Sequence, residues 1–100
     1  MLILVFSYQA REPEQFERVY GPEGEWAEFF RTGRGYVGTE LLRDAETPGR
    51  YVVVDRWDSA DAYNEFVATN RTEYMARVDD TRVYYEQELR LGTFENVWPE

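Results

Sequence analysis

Arg50-Tyr-Val-Val-Val-Asp-Arg-Trp57-Asp58-Ser59-Ala-Asp-Ala-Tyr63-Asn-Glu-Phe66 is the stretch whose reading decides the fold. Its first eight residues favour extended backbone and are apolar on both faces, with Val53 set against Val52 and Val54. That is the pattern of a strand covered on both sides. Asp58 and Ser59 are both good N-cap residues, and Ala62, Tyr63, Phe66 and Val67 follow at helical spacing. A strand therefore ends at Trp57 and a helix starts within two or three residues. Asp55 and Arg56 interrupt the apolar run. Burying either costs several kcal/mol unless it is paired, and Glu40, Arg43 and Arg90 are the candidate partners.

Working upstream, Pro48-Gly49 is a turn signal, and Tyr36 to Asp44 before it reads as a strand, so the two strands form a hairpin. Leu2 to Tyr8 is a second strand apolar on both faces. Pro13 suits the first turn of a helix. Phe16, Val19 and Tyr20 form one apolar stripe, and Trp26, Phe29 and Phe30 form another. Gly21-Pro22-Glu23-Gly24 separates them, which gives one broken helical segment from Pro13 to Arg31. Downstream, Asn70-Arg71-Thr72-Glu73 has the form of a capping box and predicts a new helix bearing Tyr74, Met75 and Val78. The pattern leaves its end open between Asp79 and Tyr84. Glu86 to Phe94 alternates as a strand, with Glu86 and Glu88 expected on its solvated face, and Asn96 to Glu100 is a short tail containing Trp98.

The order is strand–helix–strand twice over. This is an α+β chain of the ferredoxin-like split βαβ type (β-α-β-β-α-β), a four-stranded antiparallel sheet with helices on one face. A sheet whose central strands are apolar on both faces needs a second cover. The simplest cover is another copy of the chain, so a homodimer with sheet packed against sheet is expected.

Composition narrows the chemistry. One hundred residues make a single domain, 1–100, and all eleven basic residues are arginine, with no lysine, histidine or cysteine. Thiolate nucleophiles, lysine Schiff bases, imidazole bases and ordinary zinc sites are therefore excluded. Proton transfer falls to carboxylates, tyrosines and water. The missing histidine and cysteine argue against haem and zinc, and no glycine-rich phosphate loop follows a strand to hold a flavin, so no cofactor is expected. The net charge of −9 argues against nucleic acid and anionic membrane as partners. Leu2-Ile3-Leu4-Val5-Phe6 is too short to span a bilayer and lacks the flanks of a signal peptide, so a cytoplasmic protein is expected.

Leu2–Tyr8, the kinked first helix and above all Arg50–Phe66 resemble the antibiotic biosynthesis monooxygenase-like family of the dimeric α/β-barrel superfamily. The resemblance implies one such domain over nearly the whole chain and two sheets packed as a dimeric barrel. Family members include cofactor-free oxygenases of aromatic polyketides and quinols, haem-degrading enzymes, and proteins with no assigned reaction. The haem-degrading members carry an Asn on the first strand, a Trp on the second-half helix, and a His ten residues later. The matching positions here are Ser7, Phe66 and Ala76, so that branch is disfavoured.

Two functions from different classes follow. One is a cofactor-independent monooxygenase that deprotonates a phenol or quinol in an aromatic cavity and lets the anion meet oxygen. The other is a non-catalytic dimeric protein that binds a small aromatic ligand. The expected pocket lies between the helices and the sheet within one subunit. Its candidate lining is Ser7, Trp26, Phe30, Trp57, Phe66 and Tyr74, each with ordinary core packing as its alternative. Asp55 is the candidate base, its acidity weakened by desolvation, with a structural ion pair as its alternative. Convergent polar groups among the aromatics favour the oxygenase; a sealed apolar core favours the binding protein.

Overall fold

In the computed structural model, which describes residues 1–97, the two doubly apolar stretches stand side by side at the centre of the sheet. They are β1 (Leu2–Ala10) and β3 (Arg50–Trp57). β2 (Tyr36–Arg43) flanks β3 and β4 (Tyr85–Glu95) flanks β1, giving the antiparallel order β2-β3-β1-β4. The helices are α1 (Pro13–Tyr20), α2 (Glu25–Phe30), α3 (Ala60–Thr69) and α4 (Arg71–Thr81), the last running into a 3₁₀ turn at Arg82–Tyr84. The expected α+β ferredoxin-like order is the one observed. Trp98 of the expected tail lies outside the described residues.

Register decides which side chains meet the helices. β1 and β3 pair Leu4 with Asp55, Phe6 with Val53 and Tyr8 with Tyr51. Strand alternation then puts these residues, with Leu2 and Trp57, on one face. Leu2, Leu4 and Trp57 pack with Phe29 and Phe30 of α2 and Phe66 of α3, while Tyr8, Tyr51 and Val53 pack with Phe16, Val19 and Tyr20 of α1. The opposite face carries Ile3, Val5 and Val52, and with them Leu42, Leu89 and Phe94, which are 46, 55 and 49% exposed. No helix among the described residues is long and apolar enough to cross a membrane.

Local chemistry explains most element ends. Pro13 opens α1, and the Ser59 hydroxyl caps α3 by accepting from the Ala62 N–H at 3.1 Å. The helical segment breaks between Tyr20 and Glu25 as expected. Gly35 turns the chain into β2 with a φ of +92°, a conformation that side chains resist. One expectation fails. Asn70 does not cap α4 with its side chain; it donates to the Phe66 carbonyl at 2.9 Å instead. α3 and α4 abut with only Asn70 between them, and its amide satisfies the end of the first helix rather than the start of the second. β4 also carries a bulge, since Arg90 pairs with Phe6 and Gly92 with Val5, leaving Leu91 as the extra residue.

Candidate active site

The break between α1 and α2 has a packing consequence. α1 lays Phe16 flat on Tyr20, ring centroids 4.4 Å apart, over one end of the sheet. α2 leaves at a new angle and sets Trp26 edge-on to Tyr74 of α4, centroids 5.5 Å apart. Between these clusters lies a cavity of about 80 Å³. Its floor is Phe6, Tyr8 and Val53 of the sheet, with Asp55 and Thr39 at one end. Trp26 and Phe30 of α2 and Tyr74, Val78 and Thr81 of α4 wall it, and Tyr20, Tyr85 and Glu88 complete the lining. At roughly 10–15 Å³ per water this is room for several waters.

Asp55 is the chemically distinctive member. It is 8% exposed, among aromatic rings. The Thr39 hydroxyl, directly across the β2–β3 ladder, donates to its Oδ1 at 2.6 Å. The neighbouring Arg56 pairs with Glu40 at 3.1 Å, and Arg43, across the ladder from Tyr51, pairs with Glu17 at 2.7 Å. The ion pair expected for this dipeptide thus belongs to Arg56, while Asp55 is held by a hydroxyl. Burial pushes the Asp55 carboxyl from the usual carboxylate range up to about 6, against the weaker downward pull of the Thr39 hydrogen bond. A carboxylate poised there takes up and returns protons near neutral pH.

The tyrosines of the lining are kept neutral. Burial pushes the Tyr74 phenol up, and so does the neighbouring Tyr63. Burial likewise raises Tyr8, which donates to Glu88 Oε2 at 2.6 Å. Glu88 was expected on a solvated strand face. It is exposed, but it stands on the helix side of β4, opposite Tyr8, at the rim of the cavity. The Trp26 indole N–H is buried beside the Tyr20 hydroxyl. Among the described residues no cluster of three or more His, Cys, Asp or Glu side chains converges to hold a metal.

Of the expected pocket residues, the structure brings Trp26, Phe30 and Tyr74 together, with Asp55 beside them. Trp57 and Phe66 are deeper, 0 and 5% exposed, packed on each other and on Phe30 as core. Ser7 points to the other face of the sheet, where it lines a hollow with Gln9, Thr47, Arg50, Gln87 and Leu89. Strand parity is the reason: Ser7 is one residue out of phase with Phe6 and Tyr8. Phe6 and Tyr8 were therefore legible from the same parity once Leu4, 2% exposed, is known to face the helices. Thr39 had no sequence signal except its place across the hairpin from Asp55.

A sequence-family model described as antibiotic biosynthesis monooxygenase matches residues 1–77. A point mutant of SnoaB, a cofactor-independent oxygenase from Streptomyces nogalater, is similar to this chain at 22% identity with a TM-score of 0.81, over 98% of this chain and 94% of that one. A second SnoaB structure has the same identity and coverage with a TM-score of 0.76. PA3566 from Pseudomonas aeruginosa is 14% identical with a TM-score of 0.65, over 97% of this chain and 94% of its own. No curated protein matches the chain in sequence. At these identities the likeness to solved structures carries the fold. The family match spans β1 through most of α4, which includes Thr39, Asp55 and the α2 wall of the cavity. This chain belongs to the antibiotic biosynthesis monooxygenase family.

Proposed function

We propose that the protein is a cofactor-independent oxygenase that converts a flat phenol or quinol with a free ring carbon into the corresponding quinone. One observation carries the reading: a buried carboxylate, held by a hydroxyl and not by a cation, at the end of a cavity walled by aromatic rings. It favours the oxygenase over a passive binding protein, because a purely apolar ligand site gains nothing from a desolvated carboxylate.

The atoms balance without a cofactor. Asp55 takes the phenolic proton, and the electron-rich ring anion transfers one electron to dioxygen. The radical pair joins through a carbon–oxygen bond. Asp55 returns its proton to the resulting peroxide, then takes the hydrogen left on that carbon as the O–O bond breaks. The departing hydroxide collects this proton as water, and Asp55 is a carboxylate again. One oxygen atom ends in the carbonyl and the other in water, and the substrate supplies all four electrons. The aromatic walls stack on the ring and keep bulk water from the anion. A cavity of about 80 Å³ is below the roughly 300–1,000 Å³ of ordinary ligand pockets. A fused-ring substrate therefore enters with an outward shift of α4, which contributes only Thr81 as a fully buried residue.

The second part of the proposal is assembly. Two copies pack sheet against sheet, covering Ile3, Val5, Leu42, Leu89 and Phe94, while the cavity on the helix side stays within one subunit.

The test is oxygen uptake by metal-free protein with a panel of hydroquinones and anthrone, whose enol form is a phenol. Uptake is expected, and Asp55→Asn should reduce it by about 10²–10⁴-fold, the usual contribution of a general base. Wild-type protein that binds these rings without consuming oxygen would establish the binding reading. Unchanged uptake in the variant would remove Asp55 from the chemistry.

A further inference from the structure

Asp55 is one end of a chain of side chains that leaves the cavity. Thr39 Oγ1 donates to Asp55 Oδ1 at 2.6 Å, and the Tyr36 hydroxyl lies 2.6 Å from Thr39 Oγ1. A threonine hydroxyl has one proton to give. That proton goes to the carboxylate, so Tyr36 must donate to Thr39. The direction of both bonds is therefore fixed while Asp55 is ionised. Thr39 lines two spaces at once: the inner cavity, and an outer hollow with Pro22, Glu23, Arg31 and Tyr36. The β2 bulge between Tyr36 and Gly38 makes the arrangement possible. It shifts Tyr36 onto the helix-facing side with Thr39, although the two are three residues apart, an odd spacing that regular alternation would place on opposite faces.

We propose that Tyr36 and Thr39 are a positioning pair that anchors one oxygen of Asp55 and leaves the other to exchange protons with the substrate. The pair acts through Asp55, so this inference rests on the reading of Asp55 as the base. A lone buried carboxylate can rotate about its Cβ–Cγ bond and present either oxygen. With Oδ1 tied down, Oδ2 is the oxygen of Asp55 left to meet a ligand. A polarised hydroxyl chain also favours the ionised form, offsetting part of the burial that disfavours it. The remaining ionisable groups near Asp55 are Tyr74 on α4 and, across the cavity, Tyr20, Tyr8, Tyr85 and Glu88. None of them is a cation, so the Thr39 hydroxyl is its stabilising partner in the cavity, backed by Tyr36 from the outer hollow, where Arg31 is the charged neighbour of Tyr36.

The test is a titration of the Asp55 carboxyl carbon by ¹³C NMR in the full chain, with the resonance assigned by its loss in Asp55→Asn. Thr39→Val should raise the midpoint by about one pH unit, the worth of one hydrogen bond to a charged group. Thr39→Ser should restore it. Tyr36→Phe should raise it by less, in the same direction. If Thr39→Val fails to fold, the other two variants still decide the matter. A midpoint unmoved by Thr39→Val and Tyr36→Phe, or a serine that does not restore it, overturns the pair. This readout needs no turnover. Oxygen uptake separates the two ideas: if Asp55→Asn remains active, the base reading fails while the titration still judges the pair. If Asp55→Asn is inactive, Thr39→Val should lower kcat with KM nearly unchanged, and equal losses in Thr39→Ser and Thr39→Val would also count against the pair.

Discussion

Asp55 places a pH dependence on stability as well as on the proposed chemistry. Its folded-state acidity is weaker than its ordinary one, so the folded protein holds this proton more tightly than the unfolded chain does. The stabilising contribution of the protonated form is complete below the ordinary value of 3.8 and is lost as pH rises through about 6. At neutral pH the ionised group costs the fold on the order of 3 kcal/mol. Asparagine carries no charge, and its carbonyl can still accept from Thr39. Urea unfolding midpoints should therefore favour Asp55→Asn over the wild type above about pH 6, with the gap closing toward pH 4. Parallel curves over that range would show that the carboxylate is not desolvated. The residue was visible in the sequence as a charge inside an apolar strand. Its partner was not, because ion pairing is the usual solution and three arginines or glutamates were within reach. Only the register, Thr39 opposite Asp55, distinguishes a hydroxyl partner from an arginine.

At the scale of elements, α4 is the weakest part of the cavity wall. α1 buries Phe16, Val19 and Tyr20 and α2 buries Ala27, Phe29 and Phe30, whereas α4 buries Thr81 alone. It begins without a side-chain cap, since Asn70 is committed to the end of α3. Arg77 lies over the buried Phe29 ring at 4.3 Å and pairs with the exposed Glu73 at 3.0 Å, an ion pair of little worth. Local opening free energy follows buried contact, so amides of α4 should exchange with solvent before those of β1 and β3. Adding anthrone under anaerobic conditions should slow exchange in α4 and leave α3 unchanged. Slowing confined to the sheet would mean that the ligand does not sit under this helix. The elements themselves were legible: strand and helix periodicity, Pro13, Ser59 and the Gly21–Gly24 interruption place nearly every boundary. The Asn70 cap and the β4 bulge were not. In both cases a side chain or ladder had two compatible partners, and tertiary packing chose between them. Trp57 and Phe66 fell to the core for a related reason. Periodicity assigns a side chain to a face, and which aromatics on that face line a gap depends on the angle α2 takes after its break.

The whole molecule is half covered. Helices seal one face of the sheet, and on the other Ile3, Val5, Leu42, Leu89 and Phe94 form an apolar area broken mainly by the Arg56–Glu40 pair. Exposed patches of this kind on small domains mark interaction surfaces, and the proposed isologous sheet-on-sheet dimer would cover it with a single self-complementary contact. The double-sided apolar character of β1 and β3 announced this face, although sequence could not say which parity belonged to it. The structure assigns Leu4 to the helix side, where it is 2% exposed, and Leu89 to the open side, where it is 55% exposed. The two positions now give opposite outcomes. Leu89→Glu should leave each subunit folded, with near wild-type circular dichroism, and shift sedimentation at micromolar concentration from a dimer toward the 11.9 kDa chain. Leu4→Asp places an unpaired carboxylate in the core cluster of Trp57, Phe29 and Phe30, across the ladder from Asp55, and should cost the fold about 3–5 kcal/mol, a large share of the stability of a domain of this size. A wild-type chain that sediments as a monomer would remove the dimer. A dimer unaffected by Leu89→Glu would move the interface to another surface and leave the open sheet face without its expected partner.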